Sequence, residues 1–187
     1  MLLAALVIAV PCRAMERQIY PGPEQAAADI AAALKTATAE HRRVILDFGG
    51  DWCADCQALD LYFHDEANRP ILEAHFVLVH INIGHGDQNL DIAARYGIPL
   101  DKGVPALAVL NRHGKLLYSQ RRGEFEPMRH MESSAVTAFL NRWKPAKATW
   151  PVRRLSRSAI AGVACAFRWL RLRDEADCGR RPPAGRG

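Results

Sequence analysis

The stretch VILDFGGDWCADCQAL, residues 44–59, decides the fold of this chain. It begins with a short, mostly apolar run, continues with two glycines and then carries Cys53 and Cys56. Such a run before Gly-Gly predicts a buried strand over 44–48, and the apolar spacing after Cys53 predicts a helix. A Cys-x-x-Cys pair binds metal, exchanges disulfides or closes a loop, so the stretch narrows the chemistry to these alternatives.

The segments around this stretch alternate between helical and extended patterns. The predicted elements are helices over 24–41, 53–63, 88–96 and 133–143, a helical turn from Pro70 to Leu72, and strands over 44–48, 76–83, 106–110 and 115–119. The last two strands flank Asn111-Arg112-His113-Gly114, which is typical of a hairpin turn. This order predicts an α/β domain in which helices cover both faces of a mixed, partly antiparallel sheet.

The charge of the chain is unevenly distributed. The formal net charge is +5, but residues 151–187 contain 9 Arg and 3 acidic residues, whereas residues 1–150 contain 16 basic and 17 acidic residues. The length of 187 residues and the 49% apolar content are sufficient for one domain of ordinary size with appendages. Because the basic character belongs to the tail, we expect no nucleic-acid binding by the domain.

The N-terminus begins with an apolar run over residues 2–10, which Pro11 and the small-residue sequence CRA follow. The run is shorter than the roughly 20 residues of a membrane-spanning helix and matches the core of a signal peptide, although basic residues before it are missing. We therefore expect a signal peptide over residues 1–14 and a periplasmic or otherwise exported protein. Without this processing the expected location is the cytoplasm.

The rest of the chain is expected to comprise three parts: a linker over 15–23, a domain over 24–146 and a tail over 147–187. The tail is basic and is expected to be disordered or partly helical. Its amphipathic pattern from Val152 to Leu170 suits contact with an anionic membrane surface or with a partner. Cys165 and Cys178 lie in the tail and receive no catalytic role.

Cys53 lies at the predicted junction of strand and helix, where a cysteine is expected to be reactive. Backbone N–H groups and the positive end of the helix stabilise a thiolate there, and the thiolate is the nucleophile of disulfide exchange. Cys56, one turn further along, is placed to resolve a mixed disulfide. Asp47, at the strand end behind the pair, is a candidate acceptor for the Cys56 proton. Val104-Pro105 precedes a strand, a position where an X-Pro bond can be cis and face a functional loop.

This set of motifs resembles thioredoxin from about Val44 to Trp143. The motifs are DFGGDWCADC at the active site, HINI at the end of the next strand, RYGI and GVPA around a proline loop, and HGK in the hairpin. The resemblance implies a thioredoxin fold and a thiol-disulfide oxidoreductase. Within this superfamily the chain resembles exported thioredoxin-like proteins and the C-terminal domain of the disulfide reductase DsbD.

The resemblance also assigns roles to individual residues. It implies that Cys53 attacks a substrate disulfide, that Cys56 resolves the mixed disulfide and that Asp47 is the buried carboxylate. Trp52 is implied to be the ring beside the site. Val104-Pro105 is implied to be the cis-proline pair, whose first residue offers backbone hydrogen bonds to a substrate chain.

Four features depart from the thioredoxin pattern. Ala54-Asp55 replaces the usual Gly-Pro between the cysteines, and the added carboxylate is expected to disfavour a thiolate and make the pair more reducing. His80 stands where thioredoxins usually have a lysine near the buried aspartate, so a titrating His–Asp pair is one interpretation and a plain hydrogen-bonded neighbour is the other. Residues 99–102 lengthen the loop before the proline, and residues 124–131 form a further insertion.

Other functions remain open at this point. A metallochaperone or other copper- or zinc-binding protein would use the same cysteines, with His64, His85 or His113 completing a site only if the fold brought them near. A binding module without turnover and an inert disulfide are the remaining alternatives. For the enzyme we expect no cofactor and no metal ligand. Its expected partners are disulfide-containing protein substrates and a membrane electron donor, and the expected state is a monomer.

Overall fold

The sheet is built outward from one central strand, β1 (Arg43–Gly49). The computed structural model of the chain describes residues 17–146, which belong to one compact unit ending at Ala146. The other strands are β2 (Phe76–Asn82), β3 (Ala106–Leu110) and β4 (Leu116–Ser119). The helices are α1 (Ala26–Ala39), α2 (Ala54–Phe63), α3 (Arg69–His75), α4 (Leu90–Arg95) and α5 (Ser133–Trp143). Short 3-10 helices cover Pro23–Gln25, Leu100–Lys102 and Met128–His130.

The four strands form a mixed sheet in the order β2-β1-β3-β4. β1 pairs in parallel with β2, and it pairs antiparallel with β3, which in turn pairs antiparallel with β4. The register places Asp47 directly opposite His80. Because opposite residues of paired strands point to the same face, the two side chains are brought together by the register itself.

Helices cover both faces of this sheet, as the sequence predicts. On one face, α1 packs Ile30, Ala33 and Ala37 against alternate residues of the central strand. On the other face lie α2, α3 and α5, which contribute the buried residues Leu59, Phe63, Leu72, Val136, Phe139 and Leu140. β1 is buried on both faces, which explains why its sequence is a nearly continuous apolar run rather than an alternating one.

The predicted elements agree with the structure in kind and differ at their ends. The strand over 106–110 and the helix over 133–143 have the predicted bounds. The first helix ends at Ala39, two residues before the predicted end, because His41 adopts a left-handed backbone conformation with φ 57°. The helix predicted over 88–96 is shorter, since Asn89 is also left-handed and cannot continue a helix.

The expected linker over 15–23 needs a correction in its described part. Tyr20 is 1% exposed, so this segment is packed into the domain rather than extended away from it. The cause is chemical: Asp51 accepts hydrogen bonds from the backbone N–H groups of Ile19 and Tyr20, and Asn82 donates to the Pro21 carbonyl. A domain boundary at residue 24 therefore leaves out residues that pack into the domain.

Two further expectations concern segments outside the described residues. They are the signal peptide over 1–14 and the tail over 147–187, which contains Cys165 and Cys178. Among residues 17–146, none of the helices has both the length and the apolar content needed to cross a lipid bilayer.

Candidate functional site

The two cysteines lie where β1 gives way to α2 and are joined by a disulfide. Gly50 to Cys53 form a tight turn, closed by a hydrogen bond from the Cys53 N–H to the Gly50 carbonyl. Cys53 is the N-cap residue of α2, and its sulfur accepts a hydrogen bond of 3.1 Å from the Cys56 N–H. A sulfur at this position faces unpaired backbone N–H groups and the positive end of the helix dipole, and both stabilise a thiolate.

The pair is asymmetric in its exposure. Cys53 is 7% exposed, whereas Cys56 is fully buried. The Cys53 sulfur lies 3.6 Å from the carbonyl oxygen of Val104, and the bond between Val104 and Pro105 is a cis peptide bond. The sulfur that a substrate can approach is therefore that of Cys53, and the backbone before Pro105 lies beside it.

Asp55, between the cysteines, is paired rather than free. It accepts hydrogen bonds from the backbone N–H of Arg129, at 2.8 Å, and from its guanidinium Nε, at 3.1 Å. Burial raises the pKa of the Asp55 carboxyl, but these contacts with Arg129 outweigh it and lower the pKa overall. The expected electrostatic effect of Asp55 on the disulfide is thus partly compensated by a residue of the 124–131 insertion, because the insertion packs on α2.

Asp47, near the end of β1 and before the turn that carries the cysteines, is fully buried. Its Oδ2 accepts two hydrogen bonds, one of 2.7 Å from the Tyr20 hydroxyl and one of 3.0 Å from His80 Nδ1 when that nitrogen carries the proton. Its Oδ1 is also buried and has no hydrogen-bond partner among residues 17–146. One oxygen of the carboxylate is therefore held in place, and the other is open to accept a proton.

Tyr20 is a site residue that the sequence does not reveal. It packs against Cys53 and Cys56, and its ring meets the His80 ring edge-on with the centroids 5.0 Å apart. A Cβ built on Gly49 would lie 2.5 Å from the Tyr20 hydroxyl oxygen and 2.7 Å from the Cys56 sulfur. Because Gly49 has no side chain, the Tyr20 hydroxyl and the Cys56 sulfur can both lie next to it. Burial, and then the charge and hydrogen bond of Asp47, raise the Tyr20 pKa well above its ordinary value.

Asp60 is the second residue that sequence analysis misses. It is 2% exposed, one helical turn beyond Cys56 on the buried side of α2. Its carboxylate pairs with Arg17 at 2.7 Å and with His64 Nδ1 at 3.2 Å, and His80 Nε2 lies 3.6 Å away. The sequence signal that could have identified Asp60 is its position four residues after Cys56. Residues i and i+4 of a helix share a face, and Cys56 lies on the face toward the site.

His80 connects the two buried carboxylates. Its Nδ1 faces Asp47 and its Nε2 faces Asp60, and its side chain is 16% exposed. Burial lowers the His80 pKa, but the hydrogen bond and charge of Asp47, with the charges of Asp60 and Asp51, outweigh this and raise it. The structure thus places His80 beside Asp47, a contact that a titrating His–Asp pair and a plain hydrogen-bonded neighbour have in common.

Trp52 lies at the surface beside the disulfide and is 48% exposed. Its indole Nε1 donates a hydrogen bond of 2.6 Å to the Gly84 carbonyl, and its ring stacks on the His85 ring with centroids 5.6 Å apart. The loop after β2 thus holds the indole in a defined orientation. An exposed, oriented aromatic ring next to a reactive sulfur is suited to contact a substrate chain.

The three histidines considered as metal ligands do not assemble with the cysteines. His64 pairs with Asp60, His85 stacks on Trp52, and His113 lies in the β3–β4 turn. Within residues 17–146, no group of three or more His, Cys, Asp or Glu side chains is arranged to hold a metal ion.

Comparisons with known proteins agree with this architecture. Residues 25–112 match a protein-family model described as thioredoxin-like. The structure is similar to the disulphide isomerase from Xylella fastidiosa Temecula1, with 32% identity and a TM-score of 0.64, over 67% of this chain and 96% of that one. The chain belongs to the thioredoxin-like family. The fold and the paired cysteines of this family member support thiol-disulfide oxidoreductase activity in general, with disulfide-containing proteins as the substrate class.

Other solved structures are similar at lower identity. A DsbH oxidoreductase shares 18% identity at a TM-score of 0.47, over 74% of this chain and 93% of that one. A thioredoxin from Thermus thermophilus shares 21% identity at a TM-score of 0.44, over 81% of this chain and 94% of that one. A search of curated proteins found no significant match.

Proposed function

We propose that this thioredoxin-like protein reduces substrate disulfides through Cys53 and Cys56. The observation that carries the proposal is the exposure asymmetry at the start of α2: Cys53 keeps 7% of its surface exposed and its sulfur receives a backbone N–H, whereas Cys56 is fully buried. The Cys53 thiolate attacks one sulfur of a substrate disulfide and forms a mixed disulfide, while the other substrate sulfur leaves as a thiolate and takes a proton. Cys56 then attacks the Cys53 sulfur and releases the second substrate thiol.

Asp47 is the proposed base for the second step. A Cys56 thiol must lose its proton before it can attack, and it is enclosed away from water. Asp47 Oδ1 is the free acceptor, because Tyr20 and His80 occupy only Oδ2. The S–H bond of Cys56 breaks, an O–H bond forms on Asp47, and the electron pair left on sulfur makes the new disulfide to Cys53.

The reducing direction rests on the charges around the pair. Four acidic residues belong to the site: Asp47, Asp51, Asp55 and Asp60. Arginines pair with two of them, Arg129 with Asp55 and Arg17 with Asp60. Nearby negative charge disfavours a thiolate, and a disulfide whose reduced form is destabilised has a lower reduction potential. Asp55 alone does not account for the direction, because Arg129 compensates part of its charge.

Trp52, Val104 and Pro105 form the proposed docking surface for the substrate chain. The exposed indole belongs to the residue before Cys53, and the Val104 carbonyl oxygen lies 3.6 Å from the Cys53 sulfur. A substrate strand placed across this surface brings its disulfide to Cys53, and the Val104 backbone supplies its hydrogen bonds.

We further propose that the protein is exported and that its disulfide is re-reduced after each reaction. Residues 1–14 act as a signal peptide, the protein works as a monomer outside the cytoplasm, and a membrane electron donor re-reduces the disulfide, as the resemblance to the DsbD domain suggests. The basic tail, with 9 Arg among residues 151–187, makes contact with the anionic membrane surface. N-terminal sequencing of the protein recovered from cells tests the first point: we expect a start at Met15, and an intact Met1 would contradict export by cleavage.

The reduction potential tests the direction. We would equilibrate the full chain, with Cys12, Cys165 and Cys178 changed to Ser, against glutathione and dithiothreitol and count the free thiols by alkylation and mass spectrometry. A potential near or below about −270 mV, the value of thioredoxin, supports a reductase. A potential near about −120 mV, that of a strong oxidant, would reverse the direction.

Trapping of mixed disulfides tests the order of the cysteines. In the same background, Cys56→Ser is expected to accumulate a mixed disulfide between Cys53 and an oxidised protein substrate, because the resolving thiol is missing. Cys53→Ser is the matched control and is expected to trap little, since the enclosed Cys56 cannot reach the substrate. Equal trapping by both variants would contradict the assignment.

A further inference from the structure

A second cluster of polar side chains lies at the end of the sheet opposite the disulfide. It lines a groove of about 280 Å³ between the start of β1 and the turn that joins β3 to β4. β1 begins at Arg43, in this groove, and runs to Gly49, near the cysteines, over a length of about 20 Å. The polar residues that line the groove are His41, Arg42, Arg43, Asn111, Arg112 and His113.

Among residues 17–146, the Arg112 side chain donates to two imidazoles and pairs with no carboxylate. Its Nη1 lies 2.7 Å from His41 Nδ1, and its Nε lies 3.1 Å from His113 Nε2. Because a guanidinium has only donors, both of these ring nitrogens act as acceptors and carry no proton. In a neutral imidazole the other ring nitrogen then carries the proton, so each ring also offers an N–H group.

Asn111 and Arg43 add further donors to the groove. The Asn111 Oδ1 accepts hydrogen bonds of 2.9 Å from the backbone N–H groups of His113 and Lys115, which occupy its two lone pairs. The amide nitrogen of Asn111 is the remaining polar atom of that side chain, and it can only donate. Arg43 donates through Nη1 to the Trp143 carbonyl at 2.6 Å, a bond that uses one of its five N–H groups.

Arg42 differs from the other two arginines because its charge is compensated. Its guanidinium pairs with Glu40, and it donates to the Glu73 and Phe76 carbonyls at 3.0 and 2.9 Å. Its Nε is buried and has no hydrogen-bond partner within the described part of the chain. The groove therefore contains the charges of Arg43 and Arg112, which the carboxylates of residues 17–146 do not pair, and a surface made mostly of donors.

We propose that this groove binds a phosphate group, either the headgroup of an anionic lipid or free phosphate. A surface of guanidinium, imidazole and amide donors requires a ligand that is negatively charged and has several acceptor oxygens. Phosphate has both properties, and arginine binds it through paired N–H···O bonds. Arg43 and Arg112 supply the charge, and His41, His113 and Asn111 supply additional donors. The inference does not depend on the proposed thiol chemistry, because the groove lies at the far end of β1.

Titration with inorganic phosphate tests the site directly. The backbone amide signals are followed by NMR spectroscopy near neutral pH and at constant ionic strength. We expect the signals of residues 41–43 and 111–113 to shift in a saturable way, while those of residues 53–56, beside the disulfide, stay in place. Acetate is the control ligand and is expected to shift the groove signals little, because it offers only two oxygens and a single charge. The sample is the oxidised full chain with three cysteines changed to Ser, namely Cys12, Cys165 and Cys178.

Variants separate a built site from a general effect of charge. Arg112→Lys keeps the charge but loses the planar pair of donors, so we expect the phosphate affinity of the groove to fall by about tenfold or more. Arg43→Gln combined with Arg112→Gln is expected to abolish the shifts. Arg121→Gln combined with Arg122→Gln is the matched control, because it removes the same charge beyond the far end of β4 and should leave the affinity unchanged.

Vesicles distinguish the two sources of phosphate. Co-sedimentation is measured with phosphatidylcholine vesicles that contain phosphatidic acid, whose headgroup is a phosphate monoester, and with phosphatidylcholine alone. The basic tail is present in every variant and contributes equally. If the Arg43 and Arg112 variant binds the acidic vesicles more weakly than the Arg121 and Arg122 control, the ligand is a lipid headgroup. If the two variants bind them alike and the parent protein binds phosphate, the ligand is free phosphate.

Three results would overturn the proposal. They are the absence of saturable shifts with phosphate, equal shifts with acetate, and an unchanged phosphate affinity in folded Arg112→Lys. If the variant that lacks both arginines does not fold, Arg112→Lys decides alone, since the Arg112 side chain is exposed and keeps its charge in that variant. The thiol chemistry is tested separately by the trapping of mixed disulfides, so the two proposals fail independently.

Discussion

The hydroxyl group of Tyr20 offers the sharpest test of how the site is held together. Tyr20→Phe removes this group and leaves the ring, which is 1% exposed, in its place. The lost hydrogen bond is 2.7 Å long and ends on the buried carboxylate of Asp47. Hydrogen bonds to charged groups contribute about 1.5 to 3 kcal/mol each. Because His80 still donates to the same oxygen, we expect the free energy of unfolding to fall by about 2 kcal/mol.

Urea unfolding of the oxidised protein at neutral pH, followed by tryptophan fluorescence, measures this change. The midpoint should fall while the slope stays the same, since the variant exposes no additional surface on unfolding. Tyr62→Phe is the matched control, because its half-buried hydroxyl donates a 3.2 Å hydrogen bond to a neutral acceptor, the Met131 carbonyl. We expect a loss of about 1 kcal/mol or less there. A loss for Tyr20→Phe no larger than that for Tyr62→Phe would refute the claim that Tyr20 holds Asp47.

The remaining predictions concern the space beside Gly49, the pH dependence of stability and the ion pair between Arg129 and Asp55. Gly49→Ala is expected to destabilise the oxidised protein by about 1 to 3 kcal/mol in urea unfolding, because its Cβ would lie 2.7 Å from the Cys56 sulfur; an unchanged midpoint would contradict this. Burial lowers the His80 pKa but the surrounding carboxylates raise it above the unfolded value, so its stabilising contribution is present below about pH 6.5 and is lost as pH rises through the folded pKa. Stability measured from pH 5 to 9 should show this decline in the parent protein and a smaller one in His80→Asn. Arg129→Gln removes the guanidinium that pairs with Asp55 and keeps the backbone hydrogen bond, and it should lower the reduction potential by about 20 mV or less, as expected for an exposed ion pair. A rise in potential would contradict the proposed effect of the acidic residues.

Much of the fold can be predicted from the sequence because its signals are local. The run over 44–48, the turn at Asn111 to Gly114 and the spacing of apolar residues in the last helix each report on their own segment, and the structure confirms them. Errors occur at the ends of helices, where His41 and Asn89 take left-handed conformations that the pattern of apolar residues does not show.

The candidate site could be predicted only in part. Cys53, Cys56 and Asp47 belong to a single continuous stretch, so the sequence places them together, and strand register then brings His80 opposite Asp47. The sequence pattern predicts a linker at Tyr20 and does not indicate that Asp60 belongs to the site. A polar residue in a segment rich in Pro and Gly has no local pattern that indicates burial, and for Asp60 the only local indication is its i+4 spacing from Cys56.

The sequence by itself determined the order of helices and strands, the mixed sheet and the location of the cysteine pair at the start of a helix. The tertiary structure decided which polar groups surround that pair. The Tyr20 hydroxyl reaches Asp47 across 27 residues of chain, and Arg129 reaches Asp55 across 74. The physical reason is that apolar periodicity acts within one segment, whereas partners for buried charges are set by packing between segments, where each carboxylate must find a donor or remain unpaired.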